Sequence, residues 1–393
     1  MKIVLALDSF KGTLSAREAC DAVAEGIQSV RPDIETAVVP MADGGEGTAE
    51  ALMSALGGEW IPQTVTGPLS SMKVDAGYAW LPEEKVAVVE MAVASGLPLL
   101  KPDERDPMNA TTYGTGELIK AAVEKGAEKI LLTVGGSATN DGGVGAAEAL
   151  GWKFLNESGE PTSAFQPSPK ATADTVGHLY EGGDFPSLGK IVPPENLELP
   201  EIDVLCDVTN PLCGPNGASH VYGPQKGATP EMVEELDSRL WKLSELVFQC
   251  LETGLAGGAH IRDLPGTGAA GGLAFGAVAF MGGKLVPGID TVMDVSGLAK
   301  VLVGADWVLT GEGKFDPQSV QGKVVDGVAR LAAEAGAKTG VFAGTVLLTE
   351  PEWRAAGIDA VYRLNPPELD LDEAISRSRE HLVKAAASFA RGL

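Results

Sequence analysis

The sequence contains little cysteine and histidine, the residues on which disulfide-rich and zinc-binding proteins depend. Each occurs four times among 393 residues, and no two cysteines form a C-x-x-C pair. Neither H-E-x-x-H nor another zinc-type spacing of cysteine and histidine is present. These absences argue against a disulfide framework and a structural zinc site, and they fit a protein of a reducing compartment.

Long apolar runs and positive charge are also scarce. No stretch reaches the roughly 18 apolar residues that a membrane span requires, and the apolar run after Met1 ends at Asp8, too early for a signal peptide. Lysine and arginine number 30 against 54 aspartate and glutamate residues, for a formal net charge of −24. Such a field repels nucleic acid and anionic membranes, so we expect a cytoplasmic protein that binds neither.

Glycine, in contrast, is abundant, and its 50 residues occur in clusters without a collagen-like period. Clustered glycine marks places where the backbone turns sharply or approaches a ligand closely. Together with a hydrophobic content of 44%, this composition is typical of a glycine-rich α/β enzyme. In so acidic a chain a small anionic substrate needs local cations, which makes four lysines of Gly-rich loops informative: Lys11, Lys226, Lys314 and Lys323.

Strand and helix patterns alternate at both ends of the chain. Residues 3–7 form an apolar run typical of a buried parallel strand, and a capping box at Ser15 and Glu18 begins the following helix. The alternation returns from residue 306 onward and ends with a predicted helix over 371–390. In the middle of the chain, 74–81 and 86–91 predict two strands of an antiparallel hairpin, whereas 156–200 is rich in Pro, Gly and polar residues and predicts a loop. The pattern predicts a parallel-sheet α/β domain of residues 1–66 and 286–393, with a second α/β domain, 67–285, inserted into it.

The Gly-rich segment GGSATNDGG, residues 135–143, lies between a predicted strand and a predicted helix. Backbone N–H groups in such a loop, ahead of a helix N-terminus, suit an anion. The alternative is a tight turn in which glycine serves only the backbone conformation. We favour phosphate binding because strand, loop and helix occur in the required order. The predicted phosphate contacts are Gly135, Gly136, Ser137, Thr139, Asn140 and Gly142, with Asp141 as the candidate metal ligand.

Two further motifs follow the first and second predicted strands. Asp8 and Lys11 belong to DSFKGT (8–13), and Asp43 and Glu46 belong to MADGGEGT (41–48). Ligands of open α/β sheets bind at the carboxyl ends of the strands, where both motifs lie. The alternatives are an exposed loop lysine in the first motif and simple helix capping by the acidic residues of the second.

Two later motifs combine a carboxylate with a lysine. Phosphoryl transfer needs a carboxylate to hold a metal ion or to accept a proton, and it needs a cation to bind the phosphate. Asp207 ends a predicted strand, Asn210 follows it, and Lys226 lies in a Gly-flanked turn. Glu312 lies in TGEGKFD (310–316), at the end of another predicted strand.

Several familiar motifs are excluded. The segment 266–271 matches G-x-G-x-x-G, but Asp263-Leu264-Pro265 precedes it in place of a strand, so it is not a dinucleotide-binding fingerprint. Neither a P-loop sequence, G-x-x-x-x-G-K-[ST], nor a G-x-S-x-G nucleophile elbow occurs.

Taken together, the motifs resemble those of the type I glycerate kinase family along nearly the whole chain. Several unusual segments in the same order are far more specific than any one of them. The resemblance rests on DSFKGTLS (8–15), PMADGGEGT (40–48), TYGTGEL (112–118), GGSATNDGG (135–143), GPQKGAT (223–229) and TGEG (310–313).

The resemblance implies a flavodoxin- or Rossmann-like domain with an inserted α/β domain, and an ATP- and Mg²⁺-dependent kinase. The implied reaction converts (R)-glycerate and ATP into phosphoglycerate and ADP, with the 2-hydroxyl as the favoured acceptor. The expected partners are these two small molecules and, if the chain associates, a second copy in a homodimer.

On this interpretation the candidate residues divide by role. Asp43 or Asp207 accepts the hydroxyl proton, and Lys226 stabilises the transferring phosphoryl group. The expected substrate contacts are Asp8, Lys11, Glu46 and Asn210, and Glu312 joins the Gly-rich loop in binding ATP. Two alternatives stay open at this point: a non-catalytic sensor of a small acid or nucleotide, and a kinase of another small hydroxy acid.

Overall fold

The computed structural model describes residues 1–161, 188–251, 260–366 and 369–393. Contacts group the chain into two compact units: unit 1 comprises Met1–Glu59 and Pro287–Leu393, and unit 2 comprises Trp60–Val286. Each unit contains a sheet with parallel strands and several helices, which confirms the predicted α/β class. The sequence-based domain division at 66/67 and 285/286 stays a prediction.

The strands are short, as is usual for α/β proteins. In chain order they are β1 (Lys2–Leu5), β2 (Glu35–Val38), β3 (Glu59–Thr66), β4 (Lys73–Leu81), β5 (Val86–Glu90), β6 (Lys129–Thr133), β7 (Lys153–Asn156), β8 (Leu188–Val192), β9 (Glu201–Leu205), β10 (Lys284–Val286), β11 (Trp307–Phe315), β12 (Lys338–Val346) and β13 (Ala360–Arg363).

The helices of the described residues are α1 (Ala16–Gln28), α2 (Thr48–Leu56), α3 (Ala92–Ser95), α4 (Tyr113–Lys125), α5 (Val144–Ala149), α6 (Ala218–Tyr222), α7 (Pro230–Leu251), α8 (Leu273–Met281), α9 (Gly288–Val295), α10 (Leu298–Leu302), α11 (Val324–Ala335), α12 (Glu350–Ala355), α13 (Leu371–Ser376) and α14 (Ser378–Arg391). None of them is both long and apolar enough to cross a bilayer. The cytoplasmic location and the homodimer stay predictions.

The sheet of unit 1 has five parallel strands in the order β2, β1, β11, β12, β13. Counted within the unit this is the order 2-1-3-4-5, that of flavodoxin-like folds. The chain leaves β1 for β2 on one side and returns at β11 on the other, so the strand order reverses between β1 and β11. Ligands of such sheets bind beside the carboxyl ends of the strands at this reversal, called the switch point.

Strand β1 is buried on both faces, as its continuous apolar run predicts. Ile3, Leu5 and Leu7 join the apolar cluster that includes α1 and α14 residues. Val4 and Ala6 join a second cluster with residues of α9, α10 and α11. Because successive side chains of a strand point to opposite faces, this division fixes the register of β1 and the place where its loop begins.

The six-stranded sheet of unit 2 has the order β10, β9, β6, β5, β4, β3. Strands β5, β6, β9 and β10 are parallel, and β4 pairs antiparallel with β5, which confirms the hairpin that the sequence predicts there. The sequence did not predict β3, which contains Pro62. As an edge strand β3 tolerates a proline, which lacks the N–H of a ladder bond.

Three other expectations were wrong in part. Strand β8 lies within 156–200, where a loop was predicted, and pairs with β7; residues 162–187 of that segment lie outside the described residues. Strand β11 continues to Phe315 because residues 311–315 pair with β12, so the TGEG motif is inside the strand. The predicted C-terminal helix is divided at Arg377, whose φ is −111°.

Replacing Gly26 with alanine should destabilise unit 1. A methyl group placed on Gly26 would lie 2.4 Å from the carbonyl oxygen of Val383 and 2.7 Å from Cβ of Ala386, so α1 and α14 would have to separate. We expect a loss of about 1–3 kcal/mol in the free energy of unfolding, although alanine favours helices. Urea denaturation measures it. Gln28→Ala, an exposed change in the same helix, is the control; equal stability of both variants would contradict the packing.

Candidate active site

Three carboxylates lie near the switch point of the unit 1 sheet. Asp8 follows β1, Asp43 follows β2, and Glu312 lies in β11. The N–H of Asp8 donates to the carbonyl of Gly311 at 3.0 Å, which holds the β1 loop against β11. Asp8 and Asp43 thus occupy the strand ends predicted for them, and Glu312 joins them by strand pairing rather than at a strand end.

The carboxyl of Asp8 is the most perturbed of the three. Burial, together with the nearby charges of Asp43 and Glu312, raises its pKa to about 7, against a hydrogen bond from the N–H of Ser9 and the charge of Lys11. The Ser9 N–H lies 2.6 Å from Oδ1 of Asp8. Lys11 itself is exposed. The site therefore concentrates negative charge in a poorly hydrated place, with the exposed cation Lys11 beside it.

Asp43 is partly buried in the turn that precedes α2. Its Oδ1 accepts the N–H of Gly45 at 3.1 Å, and Glu46 is exposed in the same turn. The alternative of simple helix capping is not supported, because α2 begins at Thr48 after Gly47 and no described side chain caps it. Glu46 and Asp8 instead line a small cavity of about 30 Å³ with eight other residues, Ser15 and Glu50 among them. That volume suits a water molecule rather than an organic substrate.

Glu312 has a buried Oε1 to which no described group donates a hydrogen bond. Burial raises the pKa of its carboxyl; Ser319 and Lys323 oppose this shift, and Asp316 and Asp43 add to it. An unpartnered buried carboxylate oxygen is costly, so it is a fitting place for a cation or for a ligand hydroxyl.

The Gly-rich loop of unit 2 follows β6 and leads into α5, as predicted. Only Gly135 and Gly136 of the segment 135–143 reach the surface, and the rest is buried. Several N–H groups of the loop bond inside the protein: that of Ala138 donates to the carbonyl of Ser95 at 2.9 Å and that of Gly142 to Gly271 at 3.0 Å. The exposed beginning of the loop is therefore the part that suits a phosphate.

The second half of the loop uses glycine for close packing. A Cβ on Gly142 would lie 2.5 Å from Cδ2 of Leu243 in α7, and one on Gly143 would lie 2.9 Å from Cα of Gly276 in α8. Both residues also have positive φ, 62° and 77°. For these positions the structure favours the conformational interpretation of the glycines.

Asp141 is fully buried and accepts four hydrogen bonds. Oδ2 accepts the N–H and the hydroxyl of Thr112, both at 2.8 Å, and the N–H of Gly145 at 3.2 Å, while Oδ1 accepts the N–H of Gly143 at 3.1 Å. The Thr112 hydroxyl in turn accepts the N–H of Ala146. Burial raises the pKa of Asp141, and these hydrogen bonds lower it. Its role as a metal ligand stays a prediction; its contacts make it the anchor of the loop.

Lys226 supports the same loop from within the protein. Its Nζ donates to the carbonyl of Thr139 at 2.6 Å, and the residue is only 1% exposed. Burial lowers the pKa of Lys226 to about 7, which the charge of Asp141 opposes. Asn140 donates to the Ser219 hydroxyl at 3.0 Å, and no described group donates to its buried Oδ1. The predicted contact of Lys226 with the transferring phosphoryl stays a prediction.

Asp207 and Asn210 follow β9 in unit 2, and they differ in exposure. Asp207 is exposed, whereas the amide of Asn210 donates to the carbonyl of Asn216 at 2.8 Å and accepts the Tyr222 hydroxyl at 2.7 Å. Asn210 thus orders the surrounding loops, and its predicted substrate contact is untested.

Sequence reasoning missed Glu148 and the role of Thr112. Burial, and to a smaller extent the charge of Asp141, raises the pKa of Glu148, on α5, to about 8. Nothing in the spacing of α5 distinguishes Glu148 from a surface residue. Thr112 was noted only within a motif, since its partner Asp141 is 29 residues away.

The sequence matches the model of the glycerate kinase family over residues 3–393. It is 40% identical to a glycerate kinase of Halalkalibacterium halodurans over 392 residues, covering 99% of this chain and 97% of that one. It is 39% identical to glycerate 2-kinase of Escherichia coli K12 over 393 residues, covering 100% and 98%. A crystal structure from Salmonella typhimurium LT2, of a candidate glycerate kinase 2, matches with a TM-score of 0.84 and 39% identity, covering 100% and 98%.

Replacing Glu148 with glutamine should change how stability depends on pH. The folded protein keeps the Glu148 proton up to about pH 8, whereas the unfolded chain loses it near 4.5, so wild-type stability falls as the pH rises between these values. Glutamine does not titrate, so the variant lacks this fall in stability. We expect equal stability near pH 4.5 and a gain on the order of 1–3 kcal/mol for Glu148→Gln at pH 8. Denaturation across this range measures it, with exposed Glu124→Gln as the control; a pH-independent difference would contradict the assignment.

Proposed function

The chain belongs to the glycerate kinase family, and we propose that it transfers the γ-phosphate of ATP to the 2-hydroxyl of (R)-glycerate. The products are 2-phosphoglycerate and ADP. The observation that carries this conclusion is the family match over almost the whole chain, with glycerate kinases among relatives at about 40% identity. This favours a kinase over a non-catalytic sensor, and no observation favours another hydroxy acid as the substrate.

We assign the acceptor side of the reaction to the carboxylates of unit 1. Asp43 is the proposed acceptor of the hydroxyl proton, because it is partly buried and stands beside Asp8 and Glu312 at the switch point. Asp207 is the second candidate, but it is exposed to water. Lys11, exposed beside Asp8, is the proposed partner of the glycerate carboxylate.

Magnesium is the proposed metal, and the residues of unit 1 fit it. No group of three or more His, Cys, Asp or Glu residues in the described ranges has the spacing of a metal site. Mg²⁺ does not require one, because it often binds one or two carboxylates and completes its shell with water and substrate phosphates. Glu312, with its unpartnered buried oxygen, and Asp8 would hold the ion. When bound, it neutralises charge that develops on the phosphates.

We assign the nucleotide side to unit 2. The backbone N–H groups of Gly135, which is partly buried, and Gly136, which is exposed, are the proposed phosphate donors. Asp141 and Lys226 hold the loop from inside through their bonds to its backbone. We propose a positioning role for them in place of the metal and phosphoryl contacts expected from the sequence, because preorganised donors stabilise charge in the transition state without rearranging.

Replacing Asp43 with asparagine should lower kcat by about a hundredfold or more, because the side chain keeps its shape and loses its basic oxygen. Steady-state assays with D-glycerate measure it. Asp33→Asn is the matched control, since Asp33 is exposed in unit 1 and pairs with Arg31. Wild-type turnover by Asp43→Asn, together with a large loss in Asp207→Asn, would move the proton acceptor to Asp207.

The reaction itself is tested by phosphorus NMR of a mixture of enzyme, ATP, Mg²⁺ and D-glycerate. We expect a 2-phosphoglycerate signal that excess EDTA abolishes. A 3-phosphoglycerate signal would correct the position of transfer. Failure of the folded protein to form either product, with D-glycerate still raising its melting temperature, would contradict the kinase assignment and favour a sensor.

A further inference from the structure

Arg105 carries a positive charge that no described carboxylate neutralises. Its Nη1 donates to the carbonyl of Gln225 at 3.2 Å, and its buried Nε has no acceptor among the described residues. Most described arginines of this acidic chain instead pair with a carboxylate: Arg17, Arg31, Arg239, Arg262, Arg330, Arg354, Arg377 and Arg379.

The carboxylates adjacent to Arg105 in the chain are engaged elsewhere. Glu104 accepts the N–H of Lys101 at 2.9 Å and pairs with its Nζ. Asp106 accepts the N–H of Met108 at 3.1 Å and the side-chain amide of Asn109 at 2.7 Å. Within the described ranges the guanidinium charge of Arg105 is thus left uncompensated, although acidic residues flank it on both sides.

Arg105 is placed close to the groups that support the Gly-rich loop of unit 2. A Cβ on Gly227 would lie 3.0 Å from the carbonyl oxygen of Arg105 and 3.1 Å from its Cβ, so the turn with Lys226 packs directly on Arg105. Lys226 in turn bonds to the carbonyl of Thr139. Arg105 lies in the segment that connects α3 to α4, residues 96–112, and Thr112 at the end of this connecting segment bonds to Asp141. Arg105 therefore packs against a turn that holds this loop, yet it is only partly buried.

The chemistry of arginine indicates what such a group binds. A guanidinium offers a planar fork of N–H donors that matches the oxygens of a phosphate or a carboxylate, and it stays charged when partly desolvated. A buried donor without a partner is unfavourable in the free protein and gains its partner when a ligand arrives. One long bond to the Gln225 carbonyl uses little of this capacity.

We propose that Arg105 binds an oxyanion of one substrate, a role that no sequence motif assigned to it. The oxyanion is either a phosphate of ATP or the carboxylate of glycerate. The packing of Arg105 on the turn that holds the Gly-rich loop favours ATP. The inference rests on the proposed function for its kinetic test, and a binding test stands apart from turnover.

The test compares Arg105→Met and Arg105→Lys with Lys101→Met, which removes an exposed charge from the same connecting segment. We expect Arg105→Met to raise KM for ATP at least tenfold with KM for D-glycerate within twofold, and Arg105→Lys to recover part of the loss. A rise confined to KM for D-glycerate would support the oxyanion role and identify the carboxylate of glycerate as the oxyanion that Arg105 binds. Unchanged KM values for both substrates would overturn the proposal.

Melting temperatures give a readout that a structural arginine would not produce. Without ligand, Arg105→Met should melt within about 2 °C of wild type, since little within the protein depends on the guanidinium. The rise in melting temperature caused by ADP should be largely lost in this variant and kept in Lys101→Met. A large drop without ligand, with a full response to both ADP and D-glycerate, would make Arg105 structural and overturn the proposal.

The two proposals fail separately. If wild-type protein forms no phosphoglycerate, the proposed function fails, whereas the ADP-dependent melting of wild type and variants still tests Arg105. If Arg105→Met does not fold, Arg105→Lys carries the test, because it keeps the charge and loses the fork of donors. A wild-type response of Arg105→Lys to both ligands, in KM and in melting, would then count against the proposal.

Discussion

Repulsion among the carboxylates of Asp8, Asp43 and Glu312 acts at the point where β1, β2 and β11 of unit 1 converge. Burial and the neighbouring charges raise the pKa of Asp8 to about 7, and Asp43 also raises the pKa of Glu312. Such a cluster is unfavourable in the free protein and persists only because the apolar packing of β1 on both faces holds the strand ends in place. A bound metal ion and a polar substrate would relieve that repulsion, which is why we propose that the chemistry takes place here.

In unit 2 the Gly-rich loop is held by buried polar side chains, and most of it is closed to solvent. Asp141 gathers four donors, and Lys226 bonds to the backbone of Thr139. The loop is thereby fixed before any ligand binds, and only its first two glycines remain at the surface. A rigid loop with few free donors leaves room for a further cation in binding a phosphate. Arg105, which packs on the turn of Lys226 and pairs with no described carboxylate, is the cation proposed for this role.

The sequence predicted what local patterns determine. The apolar run of β1 and the loop after it placed Asp8 at a strand end, and the motif order indicated the family and its reaction. It could not predict contacts made across long separations: the bond from Lys226 to Thr139 spans 87 residues, and Gly142 packs against α7. The same holds for the extension of β11, which depends on pairing with β12, and for Glu148, whose raised pKa comes from burial that no spacing in α5 reveals.

The location of the acceptor site is tested most directly by a crystal structure with ADP, Mg²⁺ and D-glycerate. We predict that the 2-hydroxyl of glycerate lies within hydrogen-bonding distance, about 2.6–3.2 Å, of a carboxylate oxygen of Asp43. We also predict that the metal contacts Glu312 or Asp8. Glycerate bound away from the carboxyl ends of β1, β2 and β11, with Asp43 contacting neither ligand, would contradict these predictions.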